Sequence, residues 1–178
     1  TGRLGIEFDT EANGLKVSRV IPNSPADRAK NNLAIGDVIT AINGESISAE
    51  SNFYSMLAET AGEPVILNVE AKDGPKEIVI RPSKSLASEL YEEWVADRAK
   101  LVEKFSEGRL GYIHIKGMDK PSFERFEREL MASGYGKEGI VIDVRFNGGG
   151  WTTDYLMAVL SVRQHAYTIP RGAAKNLD

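Results

Sequence analysis

One stretch, residues 139–150, limits the folds open to this chain more than any other. Its apolar, β-branched first part leads through Arg145, Phe146 and Asn147 into three consecutive glycines. Such a run predicts a strand buried on both faces of a parallel sheet, and residues 151–163 predict a helix. The glycines permit positive φ values and close approach to their N–H groups. A strand, a glycine loop and a helix N-terminus together predict a site for negative charge: a phosphate, a carboxylate or the oxyanion of acyl transfer.

Composition excludes several classes of protein. The chain has 178 residues, 42% hydrophobic and 27% charged, which predicts one large or two small folded domains. With a net charge of −4 and no basic block, nucleic acid is not an expected partner. No apolar run is long enough for a membrane span, and no signal peptide opens the sequence. Without cysteine, and with only His114 and His165, the chain predicts no disulfide, metal site or other cofactor. Its start at Thr1 leads us to expect a longer parent protein.

The first half predicts a small β domain. Strands are expected at residues 4–8, 15–21, 38–42, 65–71 and 76–81, with turns at Asn13-Gly14, Asn43-Gly44 and Asp73-Gly74. Ser24 and Pro25 have the residue types that begin a short helix. A second helix over residues 50–60 would turn Phe53, Met56 and Leu57 inward.

A series of residues in this half resembles a PDZ domain of the bacterial and archaeal protease type. The series is Ser24-Pro25-Ala26-Asp27, Leu33, Gly36-Asp37-Val38-Ile39 and Ile42-Asn43-Gly44. The resemblance implies that a peptide C-terminus adds a strand beside residues 4–8, with its carboxylate on N–H groups near Arg3, Leu4 and Gly5. The implied peptide-binding residues are Arg3, Leu4, Gly5, Ile6, Asn52, Phe53 and Met56. The alternative is an ordinary edge strand beside an empty groove.

Residues 85–107 predict one amphipathic connector helix. Ser83 or Ser85 would cap its start and Gly108 would end it. Apolar residues recur at helical spacing, at Leu86, Leu90, Trp94, Leu101 and Phe105. We interpret the helix as packed on its own domain, with Trp94 as a core anchor and the charged face in solvent.

The second half predicts a β-α-β unit. A strand over residues 110–115 precedes a helix that begins at Asp119 or Ser122 and turns Phe123, Phe126, Leu130 and Met131 inward. The next strand would be parallel to the first, which places the glycine loop at the carboxyl end of a parallel strand, where such sheets bind ligands. Asp143 is expected to be buried and paired with Arg145, the alternative being direct contact with a substrate.

Segments of this half resemble the tail-specific or C-terminal processing serine peptidases, and above all their tricorn branch. The segments are residues 111–115, Met118, 139–145 and 147–150, with Trp94-Val95 in the connector. The resemblance implies a PDZ domain at residues 1–82, a connector helix at 83–107 and the first part of a crotonase-like α/β core at 108–178. It implies a serine-type peptidase that acts on peptide or protein substrates, in the cytoplasm for the tricorn branch and exported for the wider family.

The same resemblance assigns the glycine loop. In that family the loop supplies one backbone N–H of the oxyanion hole, which carries over to Gly150, with Gly149 as the next candidate. The family's nucleophilic Ser, and its His with a helper Ser, have no counterpart among these residues, and no Ser lies in a Gly-x-Ser-x-Gly turn. Residues 1–178 alone are therefore expected to be inactive.

Two other functions stay open at this point. One is a non-catalytic PDZ-containing binding or scaffold protein. The other is phosphate or nucleotide binding, although the loop lacks both the P-loop Lys-Ser/Thr and the Gly-x-Gly-x-x-Gly spacing. The sheet begun by residues 108–146 would have an unpaired edge, so we expect this half to be less ordered than the first or to pair with another copy in a homo-oligomer. His165 is expected at the surface, and residues 168–178 are expected to be loosely held.

Overall fold

The structure, a computed structural model, describes residues 1–29, 33–48 and 50–163. It divides into two compact units, Thr1–Arg98 and Ala99–Asp178. The predictions for His165 and for residues 168–178 fall outside the described residues.

Unit 1 is rich in sheet. Its strands are β1 Ile6–Glu11, β2 Gly14–Val20, β3 Val38–Ile42, β4 Glu45–Ser46, β5 Val65–Ala71 and β6 Gly74–Ile80; its helices are α1 Pro25–Arg28 and α2 Phe53–Met56. The strands pair antiparallel in the order β1-β2-β3-β5-β6, with β4 on β3. Asn43 and Gly44 both have positive φ, at 50° and 81°, as a two-residue hairpin turn requires. The predicted strands and turns are thus confirmed in outline.

The core of unit 1 comes from the alternating positions that the sequence indicated. Leu15, Val17 and Ile21 are buried as predicted, and α1 begins at Ser24, whose hydroxyl accepts the N–H of Asp27 at 3.3 Å. Further buried apolar residues come from the other strands and from α2, among them Ile39, Ile42, Phe53, Leu57, Val65, Leu67, Val69, Ile78 and Ile80. Each such burial contributes about 1.5–3 kcal/mol.

Two elements of unit 1 differ from their predicted bounds: β1, Ile6–Glu11, is shifted towards the C-terminus and α2 is shorter. β1 begins at Ile6 because Gly5 has a φ of 87° and its carbonyl accepts the N–H of Ile21 at 2.8 Å. Residues 4 and 5 therefore form a loop. Helix α2 has four residues, because its C-cap, Leu57, already leaves helical geometry and Glu59 has a φ of 59°.

Helix α3, Ala87–Phe105, spans the boundary between the two units. Its ends are as predicted: Ser85 Oγ accepts the N–H of Ala87 at 3.2 Å, and Gly108 has a φ of 77°. The predicted burial of its apolar positions is wrong, since none of its residues is buried and Phe105 is 79% exposed. Trp94 is half-buried beside Tyr91 and is no core anchor.

Two glutamates in the first part of α3 form ion pairs with other residues of unit 1. Glu93 accepts from Arg19 of β2 at 2.5 Å, and Glu89 lies 3.6 Å from Arg28 of α1. The positions that the sequence marked as a solvated face are thus partly used in ion pairs, which helical periodicity alone does not reveal.

Unit 2 contains β7 Leu110–His114, α4 Lys120–Gly134, β8 Gly139–Asp143 and α5 Thr153–Ser161. β7 and β8 are parallel, with Leu110 opposite Gly139 and His114 opposite Asp143, which confirms the predicted β-α-β unit. Asp119 caps α4 by accepting the N–H of Ser122 at 2.9 Å. The buried core residues of this unit are Ile113, Ile115, Phe126 and Leu156.

Strand β8 differs from its prediction in length and burial. It ends at Asp143, and Val141 is 37% exposed rather than buried between two layers. The reason is that the sheet of the described part of unit 2 consists of β7 and β8 alone. Met131 of α4, predicted to face inward, is 73% exposed.

Candidate functional site

The glycine loop starts where β8 stops. Asp143 ends the strand because its Oδ1 accepts the backbone N–H of Arg145 at 3.0 Å, which turns the chain away from the sheet. Phe146 then takes a left-handed conformation, with a φ of 65°, and its side chain is 89% exposed. A non-glycine residue in this region is uncommon and indicates a backbone held by its surroundings.

Asp143 is the centre of a polar cluster at the end of the sheet. Its carboxylate accepts from Arg145 Nε at 3.0 Å and from Arg145 Nη2 at 2.5 Å, which confirms the predicted pair. Tyr112, on the neighbouring strand, donates its hydroxyl to Asp143 Oδ2 at 2.8 Å. The guanidinium hydrogen bond lowers the pKa of Asp143 far below its ordinary value despite burial. Burial and the hydrogen bond to Asp143 raise the pKa of Tyr112 to about 12.

The end of β7 is bonded directly to the loop. His114 is buried, and its Nε2 lies 2.9 Å from the carbonyl oxygen of Arg145. Asn147 Nδ2 donates to the carbonyl of Ile115 at 3.0 Å. His114 thus has a place in the structure that holds the loop, as its position within a strand predicted.

The candidate glycines differ in their surroundings. The N–H of Gly149 donates to Asn147 Oδ1 at 2.8 Å, so it is already engaged. A Cβ on Gly150 would lie 2.5 Å from the carbonyl oxygen of Met118, whereas one on Gly149 would meet nothing within 4 Å. Among the described residues, none accepts the N–H of Gly148 or Gly150. Of the two residues selected from the sequence, Gly150 is therefore the one with an available donor.

The loop leads into the N-terminus of α5. The Thr153 hydroxyl donates to the Gly150 carbonyl at 2.9 Å, and Thr152 stands at the N-cap without making a side-chain cap bond. Thr152 is 1% exposed, and its Oγ1 has no hydrogen-bond partner within the described chain. Free backbone N–H groups and a helix N-terminus at one point favour negative charge.

A second candidate site is the groove between β1 and α2 in unit 1. It encloses about 80 Å³ and is lined by Gly2, Arg3, Leu4, Gly5, Ile6, Phe8, Phe53, Tyr54, Leu57 and Leu86. This volume is well below the 300–1,000 Å³ of a typical small-molecule pocket, so it suits one apolar side chain better than a whole ligand.

The loop at the end of this groove offers backbone donors. None of the described residues accepts the N–H of Leu4 or Gly5, whereas the N–H of Arg3 is taken by the Ser83 carbonyl at 2.8 Å. Gly5 must lack a side chain, because a Cβ there would lie 2.1 Å from Ser24 Cβ. The Ser24 hydroxyl also donates to the Gly5 carbonyl at 3.2 Å, which holds the loop.

Most groove residues selected from the sequence line this cavity, and two do not. Asn52 caps α2, its Oδ1 accepting the N–H groups of Tyr54 and Ser55 at 3.1 and 3.2 Å. Met56 packs half-buried against the core of unit 1. The lining residues that the sequence did not select are Gly2, Phe8, Tyr54, Leu57 and Leu86. Phe8 shares a strand face with Ile6 and could have been found, whereas Leu86 comes from the far end of the unit and no local pattern marks it.

Two further features are absent from the described residues, a metal-binding cluster and a membrane-spanning helix. These residues contain no group of three or more His, Asp or Glu side chains that could hold a metal ion. None of their helices is both long and apolar enough to cross a membrane.

The two halves of the chain match two known domain families. Residues 16–70 match the PDZ domain, and residues 109–176 match Peptidase family S41. The second match includes β7, β8 and the whole glycine loop.

Named proteins with similar sequences are peptidases. Tricorn protease homolog 1 of Streptomyces coelicolor is 33% identical over 96% of this chain, and the tricorn protease homolog of Saccharolobus solfataricus is 34% identical over 96%. The carboxy-terminal processing protease CtpB of Bacillus subtilis is 29% identical over 93%. The alignments span 17%, 16% and 32% of those proteins, so this chain corresponds to a minor part of each.

A solved structure shares the fold. The crystal structure of the tricorn protease superposes on 97% of this chain with a TM-score of 0.80 at 27% identity, and the match covers 18% of that chain. The resemblance predicted from the sequence is thereby confirmed: one region of this chain matches the PDZ domain, another matches Peptidase family S41, and the chain is similar over most of its length to a part of the tricorn protease.

Proposed function

We propose that this chain is the PDZ and leading core segment of a serine-type peptidase, and that Gly150 donates its backbone N–H to the oxyanion of peptide hydrolysis. The observation that carries the proposal is the state of the two candidate glycines. The N–H of Gly149 is engaged by Asn147, whereas no described residue accepts the N–H of Gly150, which also has no room for a side chain. A donor fixed in place before the reaction stabilises the developing charge without reorganisation, and such a donor contributes about 2.7–4 kcal/mol.

The proposal includes the division of the chain. A PDZ domain would occupy residues 1–82, a connector 83–107, and the start of a crotonase-like α/β core 108–178. The parallel pair of β7 and β8, joined through α4, is consistent with such a core. The nucleophile and the base would come from residues outside this chain. For a peptidase of the tricorn type we favour a cytoplasmic location, with export as the alternative.

The test of catalysis uses the full coding sequence that contains residues 1–178. The full protein should hydrolyse fluorogenic peptides, and a serine-directed phosphonate should abolish the activity. Mass spectrometry should place the phosphonate on a Ser outside residues 1–178. Labelling of a Ser within these residues, or hydrolysis that resists the phosphonate, would overturn the proposal.

The groove is proposed to bind the C-terminus of a peptide, with the carboxylate on the N–H groups of Leu4 and Gly5 and the last side chain in the apolar cavity. Charge-assisted hydrogen bonds to a carboxylate are about twice as strong as neutral ones. A fluorescent peptide with a free, apolar C-terminus should therefore bind more tightly than its C-terminal amide. Equal affinity for both peptides would argue against this use of the groove.

The second candidate function is a non-catalytic PDZ scaffold, which the same groove could serve. The experiments above distinguish the two functions, because a scaffold would bind the peptide but would not be labelled by the phosphonate. The similarity of residues 109–176 to Peptidase family S41 favours the enzyme.

A further inference from the structure

We propose that Asn147 is a positioning residue for the glycine loop: its carboxamide ties Gly149 to the end of β7 and so leaves Gly150 as the donor offered to the substrate. The inference rests on the proposed function for its catalytic consequence. The tie itself is a property of this chain and can be measured without catalysis.

The carboxamide of Asn147 uses both of its ends. Nδ2 donates to the Ile115 carbonyl at 3.0 Å, and Oδ1 accepts the Gly149 N–H at 2.8 Å. The orientation of the amide is unambiguous, because a backbone carbonyl can only accept and a backbone N–H can only donate. One side chain thus joins the residue after β7 to the middle of the loop that follows β8.

The loop needs such a tie for a physical reason. Ordering a residue costs about 1–2 kcal/mol of backbone entropy, and glycine loses more than any other residue. Three successive glycines would therefore sample many conformations unless other groups hold them. A second constraint acts at Gly150, whose carbonyl accepts from Thr153 at 2.9 Å and which leaves no room for a Cβ beside Met118. Asn147 supplies the hold at Gly149.

The tie also selects the donor. With its N–H engaged, Gly149 cannot bind an oxyanion unless the bond to Asn147 breaks first. Without the carboxamide, the Gly149 N–H would be released and the loop could present different amides in different conformations. Since a misplacement of about 1 Å can cost about 10²-fold in rate, this loss of order should reduce kcat.

Only an amide of this length satisfies both contacts. An Asp could accept from Gly149, but it would put a carboxylate against the Ile115 carbonyl in place of a donor. Asn147→Asp therefore changes a few atoms and removes half of the tie, whereas Asn147→Ala removes both halves. Asn43→Ala is the matched control, since Asn43 also precedes a glycine and its Oδ1 accepts a backbone N–H, that of Ile66 at 2.9 Å, but in unit 1.

The first measurement is amide hydrogen exchange by NMR on residues 1–178. In the wild-type chain Gly149 should exchange more slowly than Gly148 and Gly150. Asn147→Ala should speed the exchange of Gly149 about five- to tenfold, the worth of one hydrogen bond, while the amides of β7 and β8 keep their rates. Gly149 exchange that is fast in the wild type, or unchanged in the variant, would overturn the proposal.

The second measurement is kinetic and uses the full coding sequence, with active enzyme counted by phosphonate titration. Both Asn147 variants should lower kcat about 10²-fold with KM within about twofold, and Asn43→Ala should change neither. An unchanged kcat per titrated site would overturn the catalytic role. A wild-type protein without hydrolytic activity would overturn that role together with the proposed function, and the exchange of Gly149 would still decide the tie.

Discussion

At the scale of single residues, Gly149 and Gly150 can be compared directly, because the same substitution has different surroundings at each. An alanine at Gly150 would collide with the Met118 carbonyl, which cannot move without shifting the connection from β7 to α4. An alanine at Gly149 would meet no other atom within 4 Å. It would be destabilised only by the left-handed backbone conformation there, a φ of 81°, which costs an L-residue about 1–2 kcal/mol. We therefore predict that, in the full peptidase, Gly150→Ala lowers kcat about 10²–10³-fold and Gly149→Ala lowers it much less.

This comparison is read from kcat per titrated active site, so that a loss of folded protein does not imitate a catalytic loss. Circular dichroism of both variants serves as a check of folding. Equal effects of the two substitutions would contradict the assignment of Gly150 as the donor.

Thr152 offers a second test on a single residue. Its hydroxyl is buried without a partner in the described chain, and an unmet buried polar group costs about 1–3 kcal/mol. Thr152→Val keeps the branched shape and removes the hydroxyl, so it should raise the free energy of unfolding by about 1 kcal/mol in urea titrations of residues 1–178. Thr152→Ser, which keeps the hydroxyl and removes a methyl, is the control and should be destabilising. A less stable valine variant would mean that the hydroxyl has a partner, such as a water molecule.

At the scale of elements, the pairing of β7 with β8 decides what Asp143 can do. The Asp143–Arg145 pair could be predicted from the two-residue spacing, although Arg145 lies beyond the end of β8 and not on the strand. The Tyr112 hydroxyl could not, because its contact with Asp143 depends on the register of two strands that are separated by a helix. Likewise, the resemblance to a PDZ domain implies backbone donors near Leu4 and Gly5, whereas Leu86 reaches the groove only through the tertiary fold.

The errors at this scale share a cause. The periodicity of α3 and β8 was read correctly as helix and strand, but the covering of each face depends on neighbours that local sequence does not specify. Leu101 and Val141, both 37% exposed, are examples. Secondary structure was therefore predictable here to within a few residues. Burial was predictable for the core strands of unit 1 but not for α3 and β8.

The Asp143 cluster makes unit 2 sensitive to acid. The hydrogen bond from Arg145 lowers the pKa of Asp143 in the folded chain below its ordinary value of 3.8. The carboxylate therefore contributes stability that is complete above this ordinary value and is lost as the pH falls below it, towards the lowered folded value. We predict that the urea concentration at the midpoint of unfolding of unit 2 decreases as the pH is lowered below about 4. In the Asp143→Asn variant this midpoint should depend less on pH over the same range.

The measurement uses the fluorescence of Trp151 in a Trp94→Phe background, which leaves one tryptophan, in unit 2. Tyr112→Phe is a useful comparison, because it removes one hydrogen bond and keeps the charged pair. Tyr112→Phe should lower the urea midpoint of unit 2 at all acid pH values, while the dependence of that midpoint on pH stays close to that of the wild type. If the urea midpoint of Asp143→Asn depended on pH as strongly as that of the wild type, other groups would be the cause of the loss of stability in acid.

At the scale of the whole molecule, the two units differ in how much apolar surface they cover. In the described residues the core of unit 1 contains sixteen buried apolar residues, and that of unit 2 contains four. Unit 2 also exposes large apolar side chains around the glycine loop and along α5: Val141, Val144, Phe146, Trp151, Tyr155, Met157, Leu160 and Val162. A helix that is apolar on most sides is normally buried.

We therefore predict that unit 2 is the less stable part of residues 1–178. By hydrogen exchange with mass spectrometry, β2, β3 and β5 should exchange only in the global opening of unit 1, and β7 and β8 should exchange at least tenfold faster. A tenfold difference in exchange rate corresponds to about 1.4 kcal/mol, which is small beside the difference in stability that sixteen and four buried apolar residues suggest. Repeating the exchange at concentrations a hundredfold apart separates the intrinsic stability of unit 2 from association of two copies, since association would slow β7 and β8 only in the concentrated sample. Equal protection of both units at the lower concentration would contradict the prediction, and it would mean that four buried residues and one strand pair suffice to hold the glycine loop in place.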